Sequence, residues 1–136
     1  GMTIKAAIKT QLEAVGAVSA AGMTVYTGLA PQGAPLPYIV MNRIPGGEFG
    51  LDHGGLEGWN RETWQVDLFH ADDETLEAIR NAIITAIHGT SKTTWSGLVI
   101  HGAFVTDAHD TTELESPGAG VGEARQTLEL VVKYEP

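Results

Sequence analysis

Ala30-Pro31-Gln32-Gly33-Ala34-Pro35-Leu36-Pro37-Tyr38-Ile39-Val40 is a stiffened loop that runs straight into an apolar strand. Each proline fixes its own φ and biases the residue before it toward extended geometry, so Leu36 and Pro37 lead into β structure. Tyr38 to Ile44 carries the strand onward, and Met23 to Thr27 reads as a short strand feeding the loop. An entry this rigid suits a scaffold for shape more than a catalytic pocket.

The N-terminal stretch from residue 3 to about residue 17 has helical spacing. Ile4, Ile8, Leu12 and Val15 fall within an arc of roughly 80° at 100° per residue, with Lys5, Lys9 and Glu13 elsewhere. Thr3 is placed as N-cap, and Gly16 or Gly22 as the stop. Downstream of the proline loop, Thr63-Trp64-Gln65-Val66-Asp67-Leu68 alternates, with Trp64, Val66 and Leu68 on one face. Asp72 then caps a second helix, and Asp73 and Glu74 suit the positive end of its dipole. Leu76, Ile79, Ile83 and Ile87 form its apolar stripe, and Gly89 sits where a terminating glycine belongs.

Leu98 to Thr106 is another strand, interrupted by Gly102. In the final segment, Glu123 to Tyr134, Leu128, Leu130, Val132 and Tyr134 alternate with Thr127, Glu129, Val131 and Lys133. Strands apolar on one side and polar on the other imply a sheet with one covered face. The expected fold is therefore α+β: an antiparallel or mixed sheet with two amphipathic helices packed on one face, in the order α-β-β-β-α-β-β.

The chain of 136 residues has one domain's length, expected to run from 2 to 136, and Gly1 ahead of Met2 reads as the remnant of a removed tag. An apolar fraction of 43% fits a folded protein. No apolar run approaches the ~18 residues of a membrane span, and no basic-then-apolar leader opens the chain. The absence of cysteine rules out disulfides and thiolate metal sites. Seventeen acidic against eight basic residues give a formal charge of −9, and the basic residues are scattered. Sequence-specific nucleic-acid binding, which needs clustered Lys and Arg, is not expected.

No P-loop, Rossmann glycine fingerprint, nucleophile elbow or zinc-protease helix motif occurs. Asp72-Asp73-Glu74 is accounted for by helix capping. His101, Asp107, His109 and Asp110 are all capable of binding a divalent ion, but their spacing is unspecific and a solvated acidic loop accounts for them. His53, His70 and His88 have ordinary places in a loop, at a strand end and at a helix C-terminus. Gly118, Gly120 and Gly122 precede no helix pattern and so do not form a phosphate cradle. The reading assigns no catalytic residue, no cofactor and no metal.

Two long connections, about 45–62 and 107–122, exceed what compact domains usually tolerate without a role. The first holds Phe49, Leu51, Leu56 and Trp59, too apolar for an idle solvent loop. Those side chains either tuck over the sheet edge or belong to an arm ordered against a neighbouring subunit. Arg80 projects into the apolar arc of the second helix. It either snorkels to solvent or forms an ion pair across a subunit boundary.

The whole pattern resembles the tail-completion family of long-tailed phages, also described as tail terminator or head–tail joining proteins. The residues that carry the resemblance are the helix Ile4–Val15, Val25-Tyr26 leading into Ala30–Val40, Trp64-Gln65-Val66-Asp67-Leu68-Phe69 ahead of a helix, and Arg125–Tyr134. The resemblance implies no reaction. It implies a structural virion protein of a phage or prophage, forming a ring, typically of six copies, that caps the tail tube and joins tail to head. Its partners would be other copies of itself, the tail tube protein and a head completion or connector protein, with DNA passing through an acidic lumen. The product would reside in the virion tail after assembly in the host cytoplasm. In that setting Phe49, Leu51, Leu56, Trp59 and Arg80 are candidate subunit or tube contacts. The alternatives are a metal-binding or enzymatic domain using His101, Asp107 and His109, and a bacterial interaction or adaptor module.

Overall fold

A computed structural model describes residues 3–45, 59–110 and 124–135. Along the chain come α1 (Ile4–Ala14), α2 (Gly16–Ala21), β1 (Thr24–Thr27), β2 (Tyr38–Arg43) and β3 (Asn60–His70). There follow α3 (Asp73–Ile87), β4 (Thr93–Trp95), β5 (Leu98–Asp110) and β6 (Ala124–Tyr134). The fold is α+β with a mixed sheet. Its six strands run in the order β1-β2-β3-β6-β5-β4, and only β1 and β2 are parallel.

The alternation read from the sequence is what sets the sheet's two faces. Ile39 and Met41 pair with Leu68 and Val66, and Val66 in turn pairs with Leu128. These positions share a parity, and all lie in one core with Ile8 and Leu12 of α1, Val18 of α2, and the α3 stripe Leu76, Ile79, Ile83 and Ile87. Burial of each such aliphatic side chain contributes about 1.5–3 kcal/mol relative to exposure. The sheet curls far enough for α1 to touch both of its border strands, β1 and β4.

The caps fall where the side-chain chemistry predicts. The Thr3 side chain accepts from the Ala6 amide, and the Asp72 carboxylate accepts from the amide and hydroxyl of Thr75. The Thr75 hydroxyl and amide hold the Asp72 carboxyl below its ordinary range. Gly89 follows α3 at φ +86°, a left-handed conformation that favours glycine.

The element order expected from sequence needs three amendments. The first helix is two: Val15 leaves helical geometry (φ −67°, ψ 125°), its side chain buried, and α2 then ends at Gly22 with φ 71°. A short strand, β4, precedes β5 and pairs with its first residues. The stretch expected to loosen at Asp107 remains strand to Asp110, because β5 absorbs irregularities between Ile100 and Gly102 and between Val105 and Asp107. Each extra residue flips the parity, which hides the alternation from a strict period of two.

Candidate functional site

The helices cover one side of the sheet, and the other side carries a row of aromatic and charged groups. Tyr26 of β1 meets Tyr38 of β2 edge-on at 5.9 Å between ring centroids. Tyr38 stacks on Phe69 of β3 at 4.8 Å, and the Arg125 guanidinium of β6 lies 5.5 Å from the centroid of Phe69. The register explains the row, since Tyr38 pairs with Phe69 and Phe69 with Arg125. Cross-strand pairs of this type bind neighbouring strands together.

Next to this row lies a polar knot. Asp67, 6% exposed, accepts from the Thr127 hydroxyl at 2.7 Å and from Gln65 Nε2 at 2.9 Å. Arg125 Nη2 stands 3.4 Å from the same carboxylate. Sequence alternation put Asp67 on the polar side, as found, but could not show that it is buried there. Thr127 and Arg125, two of its partners, lie on β6, some sixty residues away in sequence.

At the other end of the sheet, Trp59 stacks on His101, ring centroids 3.7 Å apart and 14° from parallel. His101 Nε2 lies 2.7 Å from Glu135 Oε2. The three residues tie the start of β3, the β5 irregularity and the end of β6 together. Toward the helices, Glu62 is buried and accepts from Trp64 Nε1 at 3.1 Å and from the Tyr134 hydroxyl at 2.8 Å. Burial, and then the Glu62 carboxylate, push the Tyr134 phenol up to about 12, against an opposing hydrogen bond with Asn60. Glu62 and Trp64 help line a groove of about 440 Å³ with Ile4, Met41 and Arg43.

Of the candidate contact residues, Phe49, Leu51 and Leu56 lie outside the described residues. Trp59 is half-buried on His101. Arg80 lies over the sheet end, donating to Gln126 Oε1 at 2.8 Å, with Glu77 3.5 Å away on its own helix. The structure does not bring Trp59 and Arg80 together: one sits beside β5 and the other over the start of β6. His88 follows α3 and uses Nδ1 to accept from the Val105 amide at 3.0 Å, so its place is set by a strand edge as well as by the helix end. Among the described residues no three His, Asp or Glu side chains form a group that could hold a metal ion. The side chains of Asp107, His109 and Asp110 lie outside that description. The arrangement is one of surfaces and strand borders, and no described set of groups converges on a point where a substrate bond could be broken.

The long connections are rooted at opposite ends of the sheet. Asn60 pairs with Tyr134, whereas His70 pairs with Ala124. The 44–59 connection therefore joins the sheet at one end and the 111–123 connection at the other. Over eleven residues the two ends are roughly 33 Å apart.

A family model described as Tail completion protein gp17 matches residues 6–132. Among solved structures, a chain from the virion of a native gene transfer agent particle superposes with a TM-score of 0.68 at 21% identity, covering 98% of this chain and 95% of that one. A second solved chain superposes with a TM-score of 0.56 at 16% identity, again covering 98% and 95%. At these identities the likeness is one of fold. No curated protein matches the sequence.

Proposed function

The chain belongs to the tail completion protein gp17 family, structural proteins of the virion tail, and from that membership we propose that it caps the tail tube as a ring and joins tail to head. The observation that carries the reading is the family match across residues 6–132. In this reading the chain acts as one domain, residues 2–136, and about six copies contact one another head to tail until the rotation closes. One end of the ring binds the last tube ring and blocks further growth, and the other docks a head completion or connector protein. The placing of the two long connections at opposite sheet ends supports a subunit with two binding ends. Trp59 is a candidate contact at the end where β3 begins and Arg80 at the end where β6 begins; Phe49, Leu51 and Leu56 are candidate contacts from the sequence alone. The formal charge of −9 suits a lumen through which DNA slides without sticking. No reaction is part of the mechanism. Assembly takes place in the host cytoplasm, before the tail meets the head.

The test is to add purified protein to the cognate tube protein during polymerisation and to measure tube lengths by electron microscopy. The reading expects shorter tubes as the ratio of cap to tube protein rises. Tubes that grow to the same length at every ratio would remove it.

A further inference from the structure

Two features at opposite borders of the sheet fit one another. The first is the part of β5 that extends past β4. Thr90 bridges Ala103, and His88 accepts from the Val105 amide, but β4 itself pairs only with Leu98 to Ile100. Beyond the irregularity at Val105, antiparallel alternation turns the main chain of Ala108 outward again. Among the described residues no main-chain hydrogen bond meets it on that outward side, its strand partner Leu128 lying on the other. Beside this edge runs a groove of about 360 Å³, lined by Ile84 and His88 from α3 and by Val105, Thr106 and Ala108 from β5. An open edge beside a groove walled by Ile84 and Val105 together with the polar His88 and Thr106 offers what an added extended segment needs: main-chain partners, and a place for a side chain.

The second feature is Leu29, which follows β1 at the other border and is 86% exposed, more than any other large apolar side chain described. The register places the last residue of β1, two before it, on a row that reaches the groove. Thr27 pairs with Met41, Met41 with Val66, Val66 with Leu128, and Leu128 with Ala108. One row of the sheet thus runs from the residue two before Leu29 to the residue lining the groove. A knob and a groove level with each other on opposite borders can be joined between copies by rotation without rise along the strands. Such a contact closes into a ring when its rotation divides a full turn, and does not climb into a filament.

We propose that Leu29 of one copy seats in the groove formed by Ile84, Val105, Thr106 and Ala108 of the next, its main chain running along the open edge of β5 at Ala108. This rests on the ring reading and names the contact that closes the ring.

The natural absence of cysteine makes the test clean. Leu29→Cys is mixed with Ala108→Cys, and separately with Thr106→Cys, each variant first shown to melt like the parent protein. The mixtures are oxidised under conditions in which the protein caps tubes. A disulfide needs Cα atoms about 4.4–6.8 Å apart, so only a direct contact cross-links. The expected result is a linked dimer in at least one mixture and not in any variant alone. In parallel, Leu29→Glu keeps the parent melting temperature, because the side chain is exposed, and lowers ring formation at least about tenfold. Rings that form normally with Leu29→Glu, and give no cross-link at either position, overturn this contact while leaving the ring reading standing. A parent protein that forms no ring on its tube overturns both.

Discussion

Tyr134→Phe removes one hydroxyl and leaves the packing of the ring intact. That hydroxyl donates to Glu62 Oε2 at 2.8 Å, with Tyr134 6% and Glu62 9% exposed. The carboxylate also has Trp64 Nε1 at 3.1 Å and Arg43 Nη1 at 4.0 Å. A hydrogen bond to a charged, buried acceptor contributes about 1.5–3 kcal/mol, so the variant loses about 2 kcal/mol at pH 7. For a chain of this size that is a fall in Tm of about 8 °C. The effect also has a pH signature. The folded-state pKa of Tyr134 is raised to about 12, so the stabilisation is fully present below the ordinary phenol value of about 10 and is lost as pH rises from there through 12. Urea denaturation of both proteins at several pH values from 7 to about 11.5 measures this. Tyr26, Tyr38 and the lysines are common to both, so the difference isolates Tyr134. The gap is expected to stay constant from pH 7 to 9 and to shrink above 10. A gap below about 0.5 kcal/mol at pH 7, or one that does not change up to about pH 11.5, would mean that the Tyr134 hydroxyl does not stabilise the fold through Glu62.

Other outcomes follow from the same geometry. Leu68→Ala empties a fully buried position between the sheet and the helices and costs about 2–5 kcal/mol, read from the urea midpoint. Asp67→Ala leaves the buried Thr127 hydroxyl without its acceptor and Arg125 without its carboxylate, and lowers stability by about 1–3 kcal/mol; double-mutant cycles with Thr127→Val show a coupling of the same sign. Asp72→Ala flattens the acid limb of the melting curve. The depressed Asp72 pKa means its stabilisation is present above about pH 4 and is lost as pH falls through the folded value, so the variant and parent converge at the acid end of a circular-dichroism melt series.

How much was legible depended on whether the cause of each feature lay nearby in the chain. The helix stripes Ile4, Ile8, Leu12 and Leu76, Ile79, Ile83, Ile87 are buried as their spacing predicts, because helical periodicity is a local property. The caps at Thr3 and Asp72 and the glycine at 89 are equally local. The break at Val15 was not readable: its side chain fits the stripe, and only the need to turn α2 against α3 shows that the helix must stop there. β5 past Thr106 was hidden by its irregularities, which reverse the face that each residue presents. The parallel pairing of β1 with β2 and the row Tyr26, Tyr38, Phe69, Arg125 depend on which strands become neighbours. Their only signal in the sequence is aromatic residues at positions of the parity opposite to the core. Asp67 and Glu62 look like solvent-facing acids until β6 supplies Thr127 and Tyr134.

A structural protein of the virion tail acts by occupying one place in its particle. Labelling the protein in assembled virions, and imaging where the label falls along the tail, tests that most directly. One ring of label at the head-proximal end of each tail is the expected result. Label spread along the tube, or absent from particles that are otherwise complete, would contradict it.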